Sequence, residues 1–255
     1  MRMRKYFRYP FYKDALASYA KVAEERDWGI DHKLEMYNWA KVAFDPSIQE
    51  GKRREAFYAI YDNLKRYWKI FRNARAGYWS ADETFDALSK SCRDCTRQDP
   101  LTLITLQYPS PESEKILVAL DKLRDLKPAR EYPWMPVAKF THFFNPKLFT
   151  IYDYEVIWKK VMNGVFRKNY RDWCYSHNLN PNGPGERFNL YYMLWAGHII
   201  RWADTDFMGY FGDWFKSQIG NKPDNQNVLD DLHHYYATAF EFVAIGAAEL
   251  ELSDQ

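Results

Sequence analysis

Two residues of this chain are best suited to chemistry, Lys139 and Asp153, and they stand 14 positions apart in the segment Trp134–Trp158, WMPVAKFTHFFNPKLFTIYDYEVIW. A lysine amine whose charge is disfavoured by burial or by a neighbouring cation becomes a nucleophile. A carboxylate can stabilise positive charge that develops in a transition state, or position a water for attack. The same pair also has a plainer reading, in which Asp153 only caps a helix and Lys139 pairs with a nearby acid or with Asp153 itself.

Two further groups have residue types that bind metals. Cys92-x-x-Cys95 and Cys174-x-x-His177 are half-sites of the kind that complete a tetrahedral zinc centre. The halves lie about 80 residues apart, and two cysteines at helical spacing can equally share one buried face. His198, Asp204, Asp206 and Asp213 form one acidic and imidazole group, and Asp230, Asp231, His233 and His234 another. Helical spacing sets His198 near Trp202 and away from the aspartates, which favours a solvated turn, and the second group cannot all face one way. No resident metal or cofactor is expected.

The elements that must position Lys139 and Asp153 are helices. Proline disfavours helical geometry in the residue before it, so the helix carrying Lys139 is predicted to break at Asn145-Pro146. A turn then leads to a second helix opening near Asp153, whose carboxylate would face the first exposed amides. Upstream, Phe57, Ile60, Tyr61, Leu64, Trp68 and Phe71 recur at three- and four-residue steps, predicting an amphipathic helix over Arg54–Arg75. Ser110-Pro111 opens another, which runs through Leu126 and stops at Lys127-Pro128. Pro100–Tyr108 reads either as a short helix capped by Asp99 or as a strand. Asn178–Arg187, NLNPNGPGER, is the clearest loop and the best candidate for a moving element. Phe188–Trp202 and Val228–Leu250 are predicted helices, with a shorter one between them. The fold class is therefore all-α, a multi-helix single domain of about ten helices over 1–255. A two-lobed subdivision places about 1–108 with the C-terminal helices in one lobe and about 109–220 in the other.

Composition narrows the partners. Phe, Tyr and Trp make up 18% of the chain, enough both to fill a helical core and to line a groove where rings meet bases. The formal net charge is only +2, but Lys52–Arg75 holds eight basic residues against two acids. Arg2, Arg4, Lys5, Arg8 and Lys13 add a basic N-terminus, whereas Pro223–Gln255 has seven acids and no Lys or Arg. Such polarity would turn one face towards a phosphate backbone and the other away from it. No stretch approaches the roughly 18 apolar residues that a membrane span needs, and the N-terminus has no signal-peptide pattern. Three cysteines do not make a secreted disulfide framework. A cytoplasmic protein with no membrane partner and no evident obligate protein partner is expected.

A lysine on a helix, an apolar turn with proline, and Ile151-Tyr152-Asp153 opening the next helix resemble the lysine and aspartate of the helix-hairpin-helix (HhH-GPD) superfamily of DNA glycosylases. The resemblance covers about Pro133–Trp158. It implies a two-lobed helical fold, DNA as partner, Asp153 as catalytic carboxylate and Lys139 as nucleophile or phosphate contact. Met135-Pro136-Val137-Ala138 lacks the Gly-x-Gly turn of the family's hairpin, and three cysteines do not supply a four-cysteine iron–sulfur ligand set. The implied reaction is N-glycosidic cleavage that excises a damaged or modified base, with modified foreign DNA, and so antiviral defence, as one setting. The base must first leave the stack for an aromatic pocket, for which Trp134, His142, Phe143, Tyr152 and Trp158 are the local supply. Lys52, Arg53, Arg54, Lys65, Lys69 and Arg72 would hold the phosphates. The alternative is a non-catalytic nucleic-acid-binding or protein-interaction module on the same scaffold.

Overall fold

The computed structural model describes residues 3–26, 29–68, 79–93, 98–126, 134–151, 161, 165–179, 186–219 and 226–253. Among them are twelve α-helices and no strand. They are α1 (Phe11–Glu25), α2 (Ile30–Phe44), α3 (Glu50–Arg66), α4 (Ala81–Ala87), α5 (Pro100–Ile104), α6 (Pro111–Arg124), α7 (Trp134–Phe144), α8 (Val165–Ser176), α9 (Glu186–Ile200), α10 (Phe207–Ile219), α11 (Gln226–Leu229) and α12 (Tyr236–Ser253). A 3-10 turn (Met3–Phe7) precedes α1, a π turn (Leu88–Cys92) continues α4, and a second 3-10 turn (Leu232–His234) precedes α12. No described helix is long and apolar enough to cross a membrane.

Local chemistry accounts for several boundaries. Ser110 caps α6 by accepting from the Ser113 amide, and Ser113 returns a bond from the Ser110 amide, so two orphan donors are satisfied together. Asp99 caps the Thr102 amide and settles Pro100–Ile104 as helix. α7 ends one residue before Asn145-Pro146, as the proline requires. The expected single helix over Val228–Leu250 is instead divided at Leu229–Tyr235. There the Asp231 carboxylate takes Lys147, 2.6 Å away, Lys41 and His234, and the chain turns to deliver it.

The centre of the fold is α12, whose inner face is almost wholly apolar and which lies along α1. Contact is close because Gly246 faces the α1 backbone: a Cβ there would lie 1.8 Å from the Ala15 carbonyl oxygen. Gly197 performs the same service for α9 against α5, where a Cβ would lie 1.4 Å from the Ile104 carbonyl oxygen. Phe7, Tyr12, Tyr19, Phe207, Phe211, Phe240 and Phe242 pack into this seam, and each fully buried ring contributes about 1.5–3 kcal/mol. The seam also joins the chain's two oppositely charged ends. Lys5 lies 3.7 Å from Glu251 and Arg26 3.9 Å from Glu249, so the basic N-terminus and acidic C-terminus are neighbours and not opposite faces.

Candidate active site: a buried amine cluster

Lys139 sits on the inner side of α7, 4% exposed, with its Nζ 5.0 Å from the centre of the Trp68 ring. A second buried lysine, Lys33 of α2, faces the same indole at 5.7 Å and stands 4.4 Å from the Phe242 ring. Its Nζ donates to Glu241 Oε1 at 3.0 Å. Glu241, on α12 and 3% exposed, feels the charges of both lysines. Burial nonetheless pushes its carboxyl above the ordinary range, because the lost hydration outweighs the two cations. The Glu241 Oε2 and the Tyr19 hydroxyl have no hydrogen-bonding side-chain or backbone partner among the described residues. The Tyr19 hydroxyl is held well above its usual value by burial and by the Glu241 charge.

Beside this cluster, His142 is enclosed and its tautomer is assigned by its neighbours. The Phe149 carbonyl can only accept, so Nδ1, 2.7 Å away, carries the proton. Nε2 then accepts from the Tyr37 hydroxyl at 2.9 Å. Burial first, and the Lys33 charge second, drive the His142 pKa down to about 3, so the ring stays neutral. Phe143 packs against Tyr37 and, edge-on, against Trp68. Both residues are enclosed parts of the core.

The turn after α7 carries the chain back across these groups. Thr238 donates to the Pro146 carbonyl, and Phe149, Thr150 and Ile151 are buried. The Ile151 backbone amide faces the Glu241 carboxylate and favours its charge, although no bond of normal geometry reaches Oε2. Asp153, Tyr152 and Trp158 lie outside the described residues, as does the Trp134 side chain. Lys139 and the peptide two residues before Asp153 thus converge on one buried carboxylate.

No family model, curated protein or solved structure matches the chain. The site is therefore read from its own geometry.

The residues expected to hold phosphates fare unevenly. Lys52 is exposed on α3 and Lys65 is half-buried, while Lys69 and Arg72 lie outside the described residues. Arg53 donates to the Ala43 carbonyl at 3.0 Å. Arg54 is taken by three carboxylates, Glu50 at 2.7 Å and Asp82 and Asp86 at 2.8 Å, and Glu50 first, then Asp86, raise its already high pKa. These two guanidinium groups are engaged within the fold.

Among the described residues, no three His, Cys, Asp or Glu side chains gather as a metal site. Cys92 is buried in the π turn and Cys174 on α8, His177 bonds the Trp173 carbonyl, and Cys95 lies outside the described residues. Asp204 bonds Arg8 and the Tyr9 amide, and Asp206 accepts from Tyr12. Lys33, Glu241 and Trp68 escaped the sequence reading as site residues. A usable signal was there: Glu241 is the lone charge in the apolar run Tyr235–Ala248, and a carboxylate on such a face needs a cation.

Proposed function

We propose that this chain is a DNA glycosylase-like enzyme that excises a damaged or modified base, with Asp153 as the catalytic carboxylate and Lys139 as nucleophile or phosphate contact. The observation that supports the reading is the convergence of Lys139 and the Ile151 peptide, two residues before Asp153 in sequence, on Glu241. In the reaction, the C1′–N bond breaks and the leaving base takes the bonding electrons, so positive charge builds on the sugar. Asp153 stabilises that charge and accepts the proton of the water that adds at C1′. Lys139 attacks C1′ instead if the enzyme also has lyase activity, and the Schiff base formed after ring opening is then trapped by borohydride. Modified foreign DNA is a suitable substrate class, and antiviral defence the corresponding setting.

The test is incubation with DNAs carrying damaged or modified bases, followed by alkali to cut at abasic sites. Cutting by the wild type but not by Asp153→Asn is the expected result. DNA binding without abasic sites on any substrate would overturn the enzymatic reading in favour of a binding module.

A further inference from the structure

A different face of the molecule, formed by the N-terminal 3-10 turn, the start of α1 and the turn after α9, combines free cations with exposed rings. The faces meet through Asp204, whose amide donates to the Phe7 carbonyl and whose carboxylate takes Arg8 at 2.7 Å and the Tyr9 amide at 2.6 Å. Asp204 is thereby used to join the two segments, as Asp206 is by accepting from Tyr12, and Glu251 of α12 is engaged by Lys5. Arg4, Lys13 and Arg201 have no carboxylate within ion-pair distance among the described residues. Aromatic rings hold two of them: the Arg4 guanidinium lies 4.6 Å from the Trp202 ring centre, and Lys13 Nζ lies 4.7 Å from Tyr9 and 5.1 Å from Tyr210.

Arg4 also donates to His198 Nε2 at 2.5 Å, which requires the imidazole to accept and therefore to be neutral there. Burial, then the Arg4 and Arg201 charges, hold the His198 pKa below the usual value, and Arg201 is exposed one helical turn beyond His198. Arg4, held by a neutral imidazole and an indole and not by a carboxylate among the described residues, keeps its charge for an anion. The rings that accompany them are open: Tyr9 is 63%, Trp202 46% and Phe11 43% exposed. Large rings in water beside unpaired cations match the two components of a nucleic-acid strand, stacked bases and phosphates.

We propose that this face binds single-stranded nucleic acid, with Arg4, Arg201 and Lys13 on the phosphates and Trp202 and Tyr9 stacking bases. Single strands are specified because these rings need the flat faces of bases, which a duplex hides in its stack. The assignment is independent of the chemistry at Lys139 and applies equally to a strand-binding protein without catalysis.

Fluorescence anisotropy of a labelled single-stranded thymidine oligonucleotide of about 20 nucleotides tests it, over a series of salt concentrations. The double variant Arg4→Ala/Lys13→Ala is expected to bind about tenfold or more weakly, with the slope of log affinity against log salt reduced by about 1.4. Trp202→Ala should weaken binding about tenfold and Trp202→Phe should restore most of it. Lys168→Ala, at an exposed position of α8, serves as the reference and should stay within about twofold of wild type. Circular dichroism melts of each variant check that the substitutions leave the fold intact. The proposal is overturned by absent binding at low salt, by variants that match wild type, by a double-variant loss no larger than that of Lys168→Ala, or by an unlabelled duplex that competes better than the unlabelled single strand.

Discussion

Arg54 on α3 and Arg4 before α1 come from the two basic stretches of this sequence, yet the fold treats them oppositely. Arg54 is enclosed by Glu50, Asp82 and Asp86, supplied by its own helix and by α4. Arg4 lies over an exposed indole and beside a neutral histidine, with no acid in contact among the described residues. A guanidinium with its own carboxylates is a structural tie that has already used its charge. One held on a ring keeps its charge for a ligand, because an aromatic face attracts a cation without neutralising it. Counting basic residues along a chain cannot make this distinction.

The extreme case of a cation used within the fold is Lys33, and its loss should have the largest effect. Lys33→Met leaves Glu241 buried without its close cation, and a loss of about 3–5 kcal/mol in stability is expected in denaturant titrations. Adding Glu241→Gln should recover a large part of it, since a neutral amide has far less hydration to lose. If the single variant is as stable as wild type, the pair is not a tie of this kind.

Acid separates the enclosed groups from the exposed face by a second route. His142 has a folded pKa of about 3 against about 6.5 in the unfolded chain, so it favours folding fully above pH 6.5 and loses that contribution as the pH falls towards 3. Between pH 6.5 and 5 the loss should be about 2 kcal/mol, and His142→Asn should flatten that part of the curve. Glu241 acts in the opposite sense: its raised pKa costs stability as pH rises through the ordinary carboxylate range, and acid relieves it. Melting temperatures of wild type, His142→Asn and Glu241→Gln at pH 7 and 5 separate the two contributions.

Smaller effects distinguish the two arginines directly. Arg54→Ala should cost about 1–2 kcal/mol, because three carboxylates are left facing one another, while strand binding stays unchanged. Arg4→Ala should do the reverse, with stability within about 0.5 kcal/mol of wild type and binding several-fold weaker. Paired melting and anisotropy measurements on the two variants check the crossover. A shared response would dissolve the contrast between the two regions.

Much of the helical architecture was legible because its signals are local. The Ser110 cap, the stop before Pro146 and the apolar stripe of Phe57, Ile60, Tyr61 and Leu64 all act within a turn or two of chain, and the structure bears them out. Lys139 was legible as a candidate by residue type and position. Its setting was not, because Trp68, Lys33 and Glu241 come from three distant segments and meet only when α2, α7 and α12 pack. The enclosed settings of His142 and Phe143 were not legible either, because aromatic type alone does not say whether a ring faces a ligand or the core.

The sequence by itself determined that this protein is helical and which side of several helices turns inward, since capping, proline geometry and apolar periodicity depend on residues a few positions apart. Only the tertiary structure decided which charges are used within the fold and which remain for a partner. The energy of a charge depends on what stands within a few ångströms of it. For Arg4, Arg54 and Lys33, those neighbours include residues about 200, 30 and 200 positions away along the chain.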